Sequence, residues 1–297
     1  MPLITVFTPT YNRAHTLGRT YRSLCEQTSH DFEWLVVDDG STDGTRSLVE
    51  GFIAEGRIPV RYIYKENGGL YTGYNTAYAN ITTELCVCVD SDDFMPPDAI
   101  EIIADTWRRR GSDRYAGILG LDFDAHTGLP LGGYFPEGMT ECWYLDLYAR
   151  RIHRADTKAV MRTDLMRAVA PQIGYPGEKH FNPVYMMLQV CDVRPLIVVN
   201  RNLCNVDYQT TGDSMSAAIW HQYVDSPRSF AKLRRLEMTL THNTLRNRAR
   251  TAMHYVASCI IARDRRWLKD SPRPALTLAL APAGLLFRLL IHYKTRH

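Results

Sequence analysis

Short apolar runs alternate with helix-periodic stretches through the first 110 residues, and this alternation is what most narrows the fold. Residues 3–7, 34–37, 60–64 and 85–89 read as strands, and 14–27, 43–55, 70–79 and 97–110 as the helices that follow them. Strands joined through helices cannot pair as hairpins; they cross over and form a mostly parallel sheet with helices on its faces, an α/β fold. A chain of 297 residues buries a large core without staples, and 45% hydrophobic with 23% charged residues excludes a disordered or fibrous chain. Seven cysteines, an odd number without repeating spacing, argue against a disulfide framework and for a reducing compartment. Cys86 and Cys88 alternate on one strand face and read as small buried hydrophobes.

Each of these strands runs into a polar motif, and the carboxyl edge of an open parallel sheet is where ligands bind. TPTYNR (8–13) offers Tyr11 for stacking on a planar base and Arg13 for pairing with phosphate or with the acids opposite. In VVDDGSTDGT (36–45), Asp38 and Asp39 can accept hydrogen bonds from a base N–H or a ribose hydroxyl, and Gly40 permits the turn. Ser41, Thr42 and Asp43 read as the cap of the next helix. ENGGLYTGYN (66–75) brings Gly68 and Gly69 for close backbone approach, with Asn67 and Asn75 as hydrogen-bonding groups. In DSDD (90–93), Asp90 and Asp92 are spaced to converge on one hard cation, Mg²⁺ or Mn²⁺, leaving places for phosphate oxygens. Asp93 reads as an N-cap ahead of the Pro96-Pro97 helix start. No G-x-G-x-x-G follows the first strand and no P-loop occurs, which excludes the dinucleotide and P-loop readings.

Beyond residue 114 the alternation weakens. Residues 115–123 read as a strand, 128–137 as turns, 145–170 as a strand and a helix, and 196–200 as a late strand. Aromatic residues around 142–148 suit either an acceptor cleft or the core. From about residue 227 the pattern is helical and basic, with Phe230, Leu233, Leu236 and Leu240 on one stripe and Met253, Val256 and Ile260 on another. Residues 228–297 carry 15 Lys+Arg and 3 Asp+Glu, whereas the remainder holds 20 basic and 29 acidic side chains. Such a tail seeks an anionic surface, nucleic acid or lipid. The apolar stretch 275–291 is interrupted by Pro282 and Arg288, so it suits lying on a membrane better than crossing it. The first residues lack a basic region and a long apolar core, and read as a strand rather than a signal peptide.

TPTYNR, VVDDGSTDGT, NGG and DSDD, in this order over residues 3–98, resemble the family 2 glycosyltransferases of the GT-A fold. The resemblance implies a nucleotide-sugar-binding half in 1–114, an acceptor-binding half of the same domain in 115–226, and a basic helical tail in 227–297. It implies donor contacts from Thr8, Pro9, Tyr11, Arg13, Asp38, Asp39, Asn67, Gly68, Asn75, Asp90 and Ser91, with Asp39 matching the usual base contact. Asp90 and Asp92 match the metal–diphosphate motif. Gly73-Tyr74-Asn75 departs from the A-R-N of many members, leaving Lys65 or Arg13 to supply the arginine's charge. YPGEKHF (175–181) resembles the G-E-K-F variant of the acceptor-loop motif; an inverting transferase needs a base there, and Glu178 is the candidate, with Lys179 where aspartate is usual. NVDYQTTGDSMS (205–216) resembles a later segment in which relatives place a histidine where this chain has Thr211.

The implied activity is inverting transfer of a sugar from a nucleoside diphosphate, UDP favoured, to a hydroxyl of a glycan or lipid-linked acceptor in surface polysaccharide synthesis. It implies Mn²⁺ or Mg²⁺ as cofactor, no nucleic acid partner, and a cytoplasmic enzyme peripheral to the inner face of the membrane through its tail. A metal-dependent nucleotidyltransferase and a nucleotide-sugar-binding subunit without catalysis are the alternatives.

Overall fold

The computed structural model describes residues 1–207 and 219–296. Its strands are β1 (Ile4–Thr10), β2 (Phe32–Asp38), β3 (Val60–Tyr64), β4 (Leu85–Cys88), β5 (Gly117–Asp124), β6 (Glu141–Cys142), β7 (Thr157–Arg162) and β8 (Leu196–Val206). The helices are α1 (Ala14–Cys25), α2 (Thr45–Glu55), α3 (Leu70–Asn80), α4 (Ala99–Arg110), α5 (Tyr144–Ala149), α6 (Thr163–Val169), α7 (Val184–Cys191), α8 (Ile219–Asp225), α9 (Pro227–Thr239), α10 (Leu245–Ile261), α11 (Pro274–Ala279) and α12 (Ala281–Lys294). All eight strands form one sheet in the order β3-β2-β1-β4-β7-β5-β8-β6. β3, β2, β1 and β4 are parallel neighbours, as are β5 and β8, whereas β7 and β6 run against theirs. The mostly parallel sheet flanked by helices is the expected architecture.

Strand alternation divides the core between two faces. Ile4, Val6, Trp34, Val36, Leu85 and Val87 pack under α1, α2 and α4. Phe7, Leu35, Val37 and Cys86 face α3, α6 and α7, with Cys88 half-buried beside them. α2 stops at Gly56, whose φ of 65° is the left-handed conformation of a helix C-cap. α4 closes on Arg108, Arg109 and Arg110, cations that complement the partial negative charge of a helix C-terminus.

Several local expectations are revised. α4 begins at Ala99, and neither Asp98 nor Asp93 caps it through a side chain; Asp93 is instead buried beneath the sheet edge. Residues 145–170 hold two helices around β7, because Tyr144, Leu145 and Leu147 form a short amphipathic turn that packs into the core. β8 continues to Val206, since β5 keeps pairing with it beyond an irregularity near Leu121.

The C-terminal helices fold back onto the domain. Leu233 and Leu240 join the main core, while Ala231, Met238, Ala252 and Tyr255 form a satellite core between α9 and α10. α12 lies against α10 at Gly284, where a Cβ would sit 2.6 Å from Val256. None of the described helices is long and apolar enough to cross a membrane.

Gly117 is where the sheet tolerates no side chain. A Cβ there would lie 1.9 Å from the Val160 carbonyl oxygen, and ladders to β7 and β8 hold the backbone on both sides. Gly117→Ala should cost about 3 kcal/mol or more in urea unfolding. Gly51→Ala, on α2 with nothing within 4 Å, should be neutral or stabilising by up to about 1 kcal/mol.

Candidate active site

The carboxyl ends of β1, β2, β3 and β4 meet at one sheet edge, and the polar motifs interlock there. Asn12, with φ 53°, donates its backbone N–H to Ser41 Oγ at 2.8 Å and accepts the Thr42 N–H on its side-chain oxygen at 2.8 Å. Asp38 is fully buried; Ser41 N–H donates to one oxygen at 2.7 Å and the Tyr62 hydroxyl to the other at 2.6 Å. Burial and this carboxylate hold the Tyr62 hydroxyl well above its ordinary range. Asp39 organises the third motif: its carboxylate accepts the N–H of Gly68 at 3.0 Å and of Gly69 at 2.8 Å, and pairs with the Lys65 ammonium. The Asn67 amide donates to the Asp39 carbonyl at 2.8 Å. Gly40 has to be glycine, because at φ 86° a Cβ would lie 2.8 Å from the Asn67 nitrogen. Asp43 accepts the Thr45 N–H at 3.0 Å and so satisfies the first turn of α2.

The expected donor contacts divide accordingly. Tyr11 stands exposed at the end of β1, and Arg13 is half-exposed at the start of α1. Thr8 and Pro9 are buried in β1, and Thr8 accepts the Trp34 indole N–H at 3.0 Å. Asn75 bonds reciprocally with the Gln172 backbone at 2.9 and 2.8 Å, joining the two halves of the domain. Tyr74, at the position of the missing arginine, packs edge-on against Phe7 at 5.1 Å. Burial pushes its hydroxyl far up, so this position serves the core. Lys65, one candidate for the lost charge, is spent on Asp39.

DSDD lies beyond β4, with Asp90 open to solvent, Asp92 half-exposed, and Ser91 and Asp93 buried. Arg19 ties the loop down: its guanidinium donates to the Asp92 carbonyl, pairs with Asp207 at 2.7 Å and sits 4.9 Å over the Phe94 ring. Asp207, from the end of β8, donates its N–H to Asp93 at 3.3 Å and faces His126 Nε2 at 2.9 Å. The Arg19 hydrogen bond holds the Asp207 carboxyl below its ordinary range. Asp207 is thus committed to Arg19 and His126. Asp122, from β5, and Lys158, from β7, complete the group at 3.7 Å. Burial raises the Asp93 carboxyl to about 8 and the Asp122 carboxyl to about 6, with Lys158 opposing both shifts. Asp90 is also raised, by the surrounding protein and by Asp92, again against Lys158. Asp122 and Lys158 belong to none of the sequence motifs. An aspartate ending the 115–123 strand resembles Asp38 and was a usable signal; a lysine opening a later strand was not.

The donor set is hard oxygen on an open loop, which suits Mg²⁺ or Mn²⁺. Among the described residues no three His, Cys, Asp or Glu side chains are grouped to hold an ion alone. Asp90 and Asp92 therefore fit a cation that takes its remaining ligands from a diphosphate, not a closed protein cage. Thr211 lies outside the described residues.

In the YPGEKHF loop, Glu178 is buried and accepts the backbone N–H of Arg228 at 3.1 Å and of Ser229 at 2.7 Å, so it caps α9. Both oxygens of this candidate base thus hold the helix terminus. The Glu178–Lys179 surface ion pair is not what forms. Lys179 turns towards the NGG motif and donates to Asn67 Oδ1 at 2.5 Å. Tyr144 and Tyr148 belong to the core, and Trp143 stacks on His242 at 3.7 Å, docking the α9–α10 connection.

Comparison with known proteins bears on the fold and the family. The family described as "Glycosyl transferase family 2" matches residues 5–168. A Bacillus subtilis protein named as a teichuronic acid biosynthesis glycosyltransferase, TuaG, is 31% identical over 222 residues, 74% of this chain and 83% of its own. Chondroitin synthase of Escherichia coli is 37% identical over 134 residues, 45% of this chain; that match takes in 19% of the synthase, so this chain corresponds to a small part of it. Among solved structures, S. aureus TarS in complex with UDP-GlcNAc superposes with a TM-score of 0.62 at 19% identity, covering 94% of this chain and 79% of that one. The mannosyltransferase PcManGT of Pyrobaculum calidifontis, in complex with GDP-Man and Mn²⁺, reaches 0.56 at 17% identity, over 97% and 87%. The structural likenesses speak to fold; the family match and the TuaG relationship go further, and place this chain in glycosyl transferase family 2.

Proposed function

We propose that the chain transfers a sugar, with inversion, from a nucleoside diphosphate to a hydroxyl of a glycan or lipid-linked acceptor of surface polysaccharide synthesis. The observation that carries this is the pair Asp90 and Asp92 at the end of β4, opening on the edge where Tyr11, Asn67 and Lys179 also face. Tyr11 stacks on the base, Arg13 and Lys179 offer charge to the diphosphate, and the Asp39 hub shapes the pocket wall. UDP is the carrier favoured by the sequence resemblance; the structurally similar TarS was solved with UDP-GlcNAc and PcManGT with GDP-Man. Asp90 and Asp92 hold the divalent cation, Mn²⁺ or Mg²⁺, which when bound neutralises charge on the departing diphosphate. Loop 174–181 forms the acceptor side, with Glu178 holding it to α9.

The tail provides the membrane contact. Leu285, Leu286, Leu289, Leu290 and Tyr293 lie exposed on α12, with Arg288, Lys294 and Arg296 among them and Arg273 before α11. An apolar face interleaved with cations matches an anionic lipid surface. Each basic residue there contributes about 1 kcal/mol, and insertion of the leucines adds to it. The enzyme on this reading is peripheral, at the inner face of the membrane.

Three outcomes test these assignments. Asp92→Ala should lower nucleoside diphosphate release in the presence of acceptor and Mn²⁺ by about 10²-fold or more, with its melting temperature unchanged. Near-normal release by the folded variant would remove the site from the reaction. Glu178→Gln turns an amide N–H towards a backbone N–H, and should cost about 1–3 kcal/mol in stability with turnover per folded molecule within about tenfold of the parent. A drop of about 10²–10⁴-fold at full stability would instead make Glu178 the base. Paired Leu286→Glu and Leu290→Glu should abolish sedimentation with phosphatidylglycerol vesicles at low salt, without unfolding the chain. Failure of the parent protein to sediment would end the membrane assignment.

A further inference from the structure

Lys158 is an ammonium buried beside a group of carboxylates, a rare placement, since lysines are almost never fully buried unless paired. Topology puts it there. β7 runs antiparallel between β4 and β5, so its first residues lie at the edge where β4 and β5 finish. Lys158 stands opposite Gly120 on β5, two residues before Asp122 on the same face. Its ammonium is 3.7 Å from Asp122 Oδ1, and that oxygen is buried without a hydrogen-bond partner. Asp93 and Asp90 also act on the Lys158 charge. Among the described residues Asp122 is its one carboxylate partner within 4 Å, and Asp93 and Asp90 act on its charge from farther off.

Carboxylates this close repel one another, and burial removes the water that would screen them. Arg19, the other nearby cation, spends its guanidinium on Asp207 and on the Asp92 carbonyl, leaving the inner side of the group to Lys158. We propose that Lys158 is a resident counter-cation of the DSDD site: a positioning residue that offsets Asp93 and Asp122, keeps the loop assembled before any divalent cation arrives, and leaves Asp90 and Asp92 free to bind one. The proposal rests on the cation reading above. It carries a trade-off, because the same positive charge repels the incoming divalent cation and weakens its binding.

The test uses the full chain in three variants, with melting temperature read in chelator and in Mn²⁺, and Mn²⁺ affinity read by electron paramagnetic resonance. Lys158→Met should lower the melting temperature in chelator by about 6–15 °C, the usual effect of stranding a buried charge in a domain of this size. Mn²⁺ should recover more of that loss than it adds to the parent, and should bind the variant at least about tenfold tighter. Lys158→Arg, which keeps the charge, should stay near the parent in both readouts. Lys158→Met combined with Asp122→Asn removes one charge of each sign, and should regain stability in chelator even if the single variant does not fold. A Lys158→Met protein that melts like the parent in chelator, or binds Mn²⁺ no more tightly, overturns the proposal; so does a double variant no more stable than the single. A parent chain that takes up no Mn²⁺ would sink the cation reading itself, while the chelator comparison of single and double variants would still decide whether Lys158 balances the group.

Discussion

The convergence of strand ends on one edge of the sheet is the constraint from which the rest of the site follows. Parallel strands deliver their carboxyl ends to the same side, and here β2, β4 and β5 each deliver aspartates, with another just beyond β8. Such a concentration of acid is costly in a half-buried setting unless each carboxylate finds a donor or a cation. The loops are arranged to meet that need. Asp38 takes Tyr62 and the Ser41 N–H, Asp39 takes Lys65 and two glycine N–H groups, Asp207 takes Arg19, and Asp122 faces Lys158. Asp90 and Asp92 remain as the acids best placed for an external cation.

This division of labour separates residues that build the sheet edge from residues that stand open on it. Asp38, Thr8 and Asn75 build walls: one fastens a turn, one satisfies a buried indole, and one couples the two halves of the domain. Tyr11 and Lys179 face outward at the same edge. Glu178 shows the distinction within a single dipeptide. Its carboxylate satisfies two orphan N–H groups at the start of α9, and the next residue reaches Asn67 in the NGG motif.

The same contact makes the C-terminal extension part of the domain. α9 is held at its start by Glu178 and along its length by Leu233 and Leu240 in the main core, and Asp192 accepts the Thr241 N–H at 2.7 Å just after it. α10 then carries α12, whose close approach at Gly284 buries one side of that helix and leaves its leucines outward. The exposed leucines of α12 are thus mounted on α10, which packs against the helix that Glu178 caps.

Local signals were enough for the α/β class, the first four strands, the placement of the polar motifs after them and the family. Strand alternation and turn chemistry act between near neighbours, so they leave a mark in the order of residues. The helices of residues 228–262 were legible for the same reason, as apolar stripes at helical spacing. The role of each acid within its motif was not. Asp93 reads as a helix cap and Glu178 as a free base until the donors that reach them, Asp207 from the end of β8 and the first turn of α9, are brought in from distant parts of the chain. Lys158 is the extreme case. No motif surrounds it, and only the antiparallel insertion of β7 between β4 and β5 sets its ammonium beside the acids of two other strands. Sequence by itself determined that the acids after β2 and β4 reach the ligand edge, because strand and turn signals are local; tertiary structure alone decided which other acids join them and which are neutralised there, because that depends on partners dozens of residues away.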